Sequence, residues 1–120
     1  DAKCFQQSMK MALKQANLKA STTVVMHAPG TLKGDKAELK AVEKIFKKKP
    51  FLTTNKWKIG HTYAASGAMS LELAVLMLQK QECISNPFYK NTEIPKSINH
   101  IMVNAVGFGG NAVSLIVSKL

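Results

Sequence analysis

The side chains able to do chemistry stand in three polar segments, each directly after an apolar, β-branched or aromatic run. His27 follows Thr22-Thr23-Val24-Val25-Met26, and Lys56 and His61 follow Phe51-Leu52-Thr53-Thr54-Asn55. Asn104 and the turn Gly107-Phe108-Gly109-Gly110 close the run 100–106. An imidazole with an ordinary pKa of about 6.5 can donate a hydrogen bond, relay a proton or ligate a metal at neutral pH. A metal reading needs a third ligand. Glu38 is the nearest candidate and no H-x-x-H spacing occurs, so no metal is expected. The glycine turn precedes a strand rather than a helix, so it is no dinucleotide fingerprint. Cys4 and Cys83 match no zinc spacing and neither follows a strand, so both read as inert thiols.

Periodicity places these segments on elements. Residues 3–16 carry Phe5, Met9, Ala12, Leu13 and Ala16 on one helical face, with lysines opposite. Residues 22–26 read as a buried strand, and His27 to Thr31 as a loop punctuated by Pro29-Gly30. Asp35 can cap the next helix in a D-x-x-E box with Glu38. Leu39, Val42, Ile45 and Phe46 form its apolar stripe, and Lys47-Lys48-Lys49-Pro50 end it. Residues 51–55 read as a second strand and 56–67 as a loop. Residues 64–81 read as a helix apolar on most faces, hence enclosed. Residues 82–97, with Pro87 and Pro95, read as an irregular excursion. Strands over 100–106 and 113–117 flank the glycine turn. Alternating α and β units imply an α/β fold, a mostly parallel sheet with an antiparallel edge from the last hairpin. Ligands of such sheets gather at the carboxyl ends of the strands, so the three polar segments should meet.

Composition bounds the function. The 120 residues, 46% hydrophobic and 20% charged, suit one domain with a core rather than a disordered segment. No apolar run approaches the roughly 18 residues needed to cross a bilayer. Asp1 to Gln6 shows no signal peptide. Without an initiator Met, the chain reads as a processed product or a piece of something longer. A soluble, reduced, cytoplasmic domain is the expectation, with no membrane partner. All 17 basic residues are Lys, against seven acidic ones, for a formal charge of +10. That excess suits a solvated surface, nucleic acid or an acidic protein. The lack of Arg and of any nucleic-acid motif counts against the second.

Three segments resemble one family. His27-Ala28-Pro29-Gly30-Thr31-Leu32-Lys33-Gly34-Asp35-Lys36-Ala37-Glu38 resembles the H-[GA]-T-G-T-x-x-G-D-x-x-E segment of β-ketoacyl-[acyl-carrier-protein] synthases. Asn55-Lys56-Trp57-Lys58-Ile59-Gly60-His61-Thr62-Tyr63-Ala64-Ala65-Ser66-Gly67 resembles their [ST]-K-S-x-x-G-H-x-x-x-A-[AS]-G segment. Asn104-Ala105-Val106-Gly107-Phe108-Gly109-Gly110-Asn111 resembles N-[SA]-F-G-F-G-G-[TN]. They occur in family order along nearly the whole chain. The resemblance implies a three-layer, thiolase-like half-domain over residues 1–120. It corresponds to the C-terminal half of a synthase built from two such halves. The nucleophilic Cys belongs to the N-terminal half, and neither Cys4 nor Cys83 lies in a matching motif.

The resemblance also implies roles. His27 and His61 would stabilise the oxyanion that forms as malonyl-carrier protein loses CO2, ahead of Claisen condensation with an acyl thioester. Lys56 and Glu38 match a charged pair that orients them. Thr31 matches a threonine that binds the phosphopantetheine arm carried by the acyl-carrier protein; no other cofactor is implied. Phe108 matches a gate over the acyl pocket, with Gly107 and Gly109 letting the backbone approach the substrate. The product would be a 3-oxoacyl chain in fatty-acid or polyketide-like synthesis. The implied partners are acyl-carrier protein, the N-terminal half and a second synthase in a homodimer or heterodimer; the half alone should be inactive. Three positions depart from the pattern: Pro29 and Trp57, expected to border the substrate arm, and Val106. They leave room for the alternative of a non-catalytic, chain-length-factor type of partner subunit that binds carrier protein.

Overall fold

Side-chain alternation along short strands sets the layers of this protein. The computed structural model describes residues 2–107 and 109–120. In β1 (Thr23–Val25) and the residue after it, Val24 and Met26 face one side of the sheet and Val25 the other. In β3 (His100–Val106), Met102 joins the first side, and Ile101 and Val103 the second. With β2 (Phe51–Thr53) and β4 (Ala112–Ser118), the strand order is β2-β1-β3-β4. Thr23 lies beside Phe51 and Ile101 in parallel register, and β4 returns antiparallel with Ser114 opposite Asn104. This is the mostly parallel sheet with an antiparallel hairpin strand that the sequence implies.

Helices cover both faces. α1 (Ala2–Gln15) buries Phe5, Met9, Ala12 and Leu13, and α2 (Leu32–Ile45) buries Ala41 and Val42, both on the Met102 side. α4 (Ser66–Lys80) buries Leu73, Ala74, Met77 and Leu78 on the Val103 side. Three layers result, as expected.

Local details differ from the sequence reading. Thr31, not Asp35, caps α2: it is extended, and its hydroxyl accepts from the Gly34 N–H at 3.2 Å. Asp35 sits in the first turn and accepts from the Gly30 N–H at 3.2 Å, outside the helix. The helix ends at Ile45, closed by the Phe46 N–H on Val42 O, so the three lysines before Pro50 lie beyond it. The expected loop 56–67 holds a one-turn helix α3 (Lys56–Ile59) and a 3-10 turn (Tyr63–Ala65). α4 is not enclosed: Val75 and Leu76 are 37% and 44% exposed.

The excursion after α4 does structural work. Asn91 accepts from the Leu52 N–H at 2.8 Å and donates to Leu52 O at 3.0 Å. Asn86 donates to the same oxygen at 2.8 Å. Side-chain amides thus occupy peptide groups on the outer side of β2, where a fifth strand would otherwise bond.

Candidate active site

The chain leaves β1 at Met26 and kinks. Ala28 has a φ of 43°, which an L-residue adopts only under constraint. The constraint is visible: the His27 N–H donates to Glu38 Oε1 at 2.8 Å and the Ala28 N–H to Oε2 at 2.9 Å. Successive amides aimed at one anion form a nest, and the left-handed residue lets both point inward. Glu38 reaches the nest from α2 and is wholly buried. Burial pushes its carboxyl upward, against the pull of the two amides, Asn104 and the nearby Lys56 ammonium.

The kink turns the His27 ring back toward the sheet. Its Nδ1 accepts from the Val106 N–H at 3.3 Å. A nitrogen that accepts from a backbone N–H carries no proton, so the ring proton sits on Nε2. Burial, then the Lys56 ammonium and His61, depress this imidazole to about 4. His27 is therefore neutral at physiological pH and offers Nε2–H as a donor.

His61 arrives from the segment after β2. Its Nδ1 accepts from the Tyr63 N–H at 3.1 Å, which fixes the same tautomer. Tyr63 meets this geometry with a φ of 49°. The two imidazoles lie edge to face, centroids 5.3 Å apart and planes at 85°. Lys56, the first residue of α3, donates from Nζ to His27 O. Burial lowers its pKa, while Glu38 and Asp35 oppose that.

The expected Lys56–Glu38 ion pair is not formed within 4.0 Å; among the described residues that contact is Lys48–Glu93 at 3.0 Å, on the surface. The Glu38 oxygens are occupied by backbone amides and by Asn104, and Lys56 bonds the carbonyl of the same loop. Both groups hold the His27 loop by hydrogen bonds, and they attract each other across it without direct contact.

Both histidines line one cavity of about 690 Å³, together with Thr31, Pro29, Tyr63 and Gly107. Thr31 spends a lone pair on the helix cap, a bond that does not use its hydroxyl proton. Gly107 brings the glycine turn to the histidines, and Gly109 stands in the turn with a φ of 98°. Phe108, the expected gate, lies outside the described residues. Trp57, expected beside the substrate arm, does not line the cavity; it is 42% exposed, with the Lys58 ammonium 5.0 Å from its ring. Cys4 is exposed on α1, and neither Cys83 nor Cys4 reaches the cavity. No group of three or more His, Cys, Asp or Glu gathers among the described residues, and none of their helices is long and apolar enough to cross a membrane.

Asn104, which the sequence sets among the polar residues expected beside the histidines, is fully buried and donates to Glu38 Oε1 at 3.2 Å. Tyr63, which the sequence reading did not single out, packs against His61 with the rings tilted by 39° and their centroids 5.3 Å apart. Nothing in the sequence marked Tyr63 for this contact.

Residues 1–90 match the family model described as beta-ketoacyl synthase, C-terminal domain. The chain belongs to that family. It is 36% identical to 3-oxoacyl-[acyl-carrier-protein] synthase 1 of Buchnera aphidicola subsp. Acyrthosiphon pisum, with 92% of this chain and 30% of that protein aligned. It is 32% identical to the 3-oxoacyl-[acyl-carrier-protein] synthase homolog of Saccharomyces cerevisiae, over 99% of this chain and 33% of that one. A crystal structure of a beta-ketoacyl synthase from Burkholderia phymatum superposes with a TM-score of 0.81 at 25% identity, covering 99% of this chain and 33% of the other. This synthase domain thus spans about a third of those relatives, and its sheet has the thiolase-like form. The glycine turn lies beyond the segment matched by the family model but inside the superposed structure.

Proposed function

We propose that this domain supplies the histidine part of the site for decarboxylative condensation in a 3-oxoacyl-[acyl-carrier-protein] synthase. The observation that carries the reading is the pair of tautomer-locked imidazoles sharing one cavity. When a malonyl thioester loses CO2, the electrons of the breaking C–C bond move into an enolate, and charge grows on the thioester oxygen. Two preset Nε2–H donors at that oxygen stabilise it without reorganising. The carbanion then attacks an acyl thioester, expelling the thiolate of a Cys that the family keeps in its N-terminal half. Neutral His27 suits the role, because a protonated ring could not accept the Val106 N–H that aims it.

Acyl-carrier protein is the proposed partner, its pantetheine arm passing Thr31 on the way to the histidines. A complete synthase, dimeric and cytoplasmic, is the proposed setting. Pro29 lines the cavity where the family pattern has a threonine, so this arm would find one hydroxyl fewer. A non-catalytic partner subunit would have no use for two locked donors, which favours the catalytic reading. In the full-length protein, His61→Ala should slow malonyl decarboxylation by about 100–1000-fold with the fold intact. Decarboxylation at the unaltered rate would remove His61 from the mechanism.

A further inference from the structure

Behind the His27 loop runs a line of polar side chains that crosses the molecule and that the proposed chemistry does not use. It starts on α1, where Ser8 Oγ lies 2.9 Å from Ser114 Oγ of β4. Ser114 donates to Asn104 Oδ1 at 2.8 Å, across the strand pair in which the two residues are direct partners. Asn104 in turn donates from Nδ2 to Glu38 Oε1, which holds the amides of His27 and Ala28. Four elements thus reach the loop through one chain of contacts, over a sequence separation of 106 residues at its first link.

We infer that Ser114, backed by Ser8, is a positioning residue that holds the His27 loop through Asn104 and Glu38. Proton counting fixes the direction. Both Glu38 oxygens already accept from backbone amides, and Asn104 turns its amino group to Oε1 and its oxygen away. That oxygen is buried, and Ser114 is the side chain that supplies it with a proton. Ser8 also lies 3.1 Å from Phe5 O. Its single proton can go there or to Ser114, and it backs Ser114 only in the second arrangement, because Ser114's own proton is on Asn104. Without the Ser114 hydroxyl, a buried carbonyl oxygen is left unpaired. Rotating the amide to relieve it pulls the amino group off Glu38, and the strained Ala28 conformation loses part of what holds it. The inference rests on the functional reading only for why the loop must be held; the geometry stands without it.

Amide hydrogen exchange tests this in the full-length protein with no substrate present. Ser114→Ala should speed exchange at His27 and Ala28 about tenfold, the effect of losing one buried hydrogen bond. The Phe51 amide, bonded to Thr22 O at the far end of the sheet, should keep its protection. Ser114→Thr, which restores a hydroxyl, should restore protection at His27 and Ala28. Unchanged exchange there in Ser114→Ala overturns the proposal. So does an equal acceleration at Phe51, which would mean general loosening, and so does failure of the Thr variant to rescue. Normal decarboxylation by His61→Ala would sink the functional reading and leave this one standing.

Discussion

His27 should make the protein lose stability on acidification, over a window set by its burial. The ring is 5% exposed, and its pKa falls from 6.5 to about 4 on folding. Between those values the unfolded chain binds a proton that the folded one refuses. The stabilisation from a neutral His27 is therefore fully present above pH 6.5 and is lost as pH falls through about 4. At about 1.4 kcal/mol per decade, the loss reaches about 3 kcal/mol. His27→Asn is the informative variant, because its carbonyl oxygen can stand near Nδ1 and accept the Val106 N–H without titrating. Denaturant unfolding at pH 7 and pH 4 should show wild type losing about 3 kcal/mol more than His27→Asn. NMR titration of the ring gives the pKa directly. In Lys56→Met the value should rise yet stay below 6.5, because burial is the larger cause. A ring titrating at its ordinary pKa, or equal acid losses in wild type and His27→Asn, would refute the reasoning.

Gly34→Ala should destabilise, since a Cβ there would stand 2.7 Å from both Pro29 Cγ and Thr31 Oγ1. A cost of about 1–3 kcal/mol should lower Tm by about 4–12 °C in a thermal melt. Adding Pro29→Ala should recover only part, because the Thr31 contact remains; a wild-type Tm for Gly34→Ala would contradict the packing. Binding of an acidic acyl-carrier protein, measured in a salt series, should weaken steadily as Lys33, Lys36, Lys40 and Lys44 of α2 are screened. Salt-independent binding would point to an apolar dock.

The fold was legible where period and burial coincide. Phe5, Met9, Ala12 and Leu13 face inward as their spacing requires, and the order of strands and helices follows. The meeting of His27, Lys56, His61 and Gly107 was legible too, because parallel strands end on one rim. What the sequence hid is tertiary. The family resemblance implied a Lys56–Glu38 ion pair, yet Glu38 reaches two backbone amides that the Ala28 kink presents. The cap of α2 shifted to Thr31 because Asp35 is drawn to the Gly30 amide. The open face of α4 was unreadable, since Val75 and Leu76 are as apolar as the buried Leu73 and Met77.

The asparagines on Leu52 have an effect at the scale of many molecules. They close the β2 margin of the sheet, while β4 forms the other margin. A sheet that can grow from two sides polymerises; one that can grow from a single side cannot propagate. Were two copies to join strand to strand through β4, the eight-stranded pair would present a closed β2 at each end and growth would stop there. Replacing Asn86 and Asn91 would reopen the second side and turn a terminating contact into a chain-forming one.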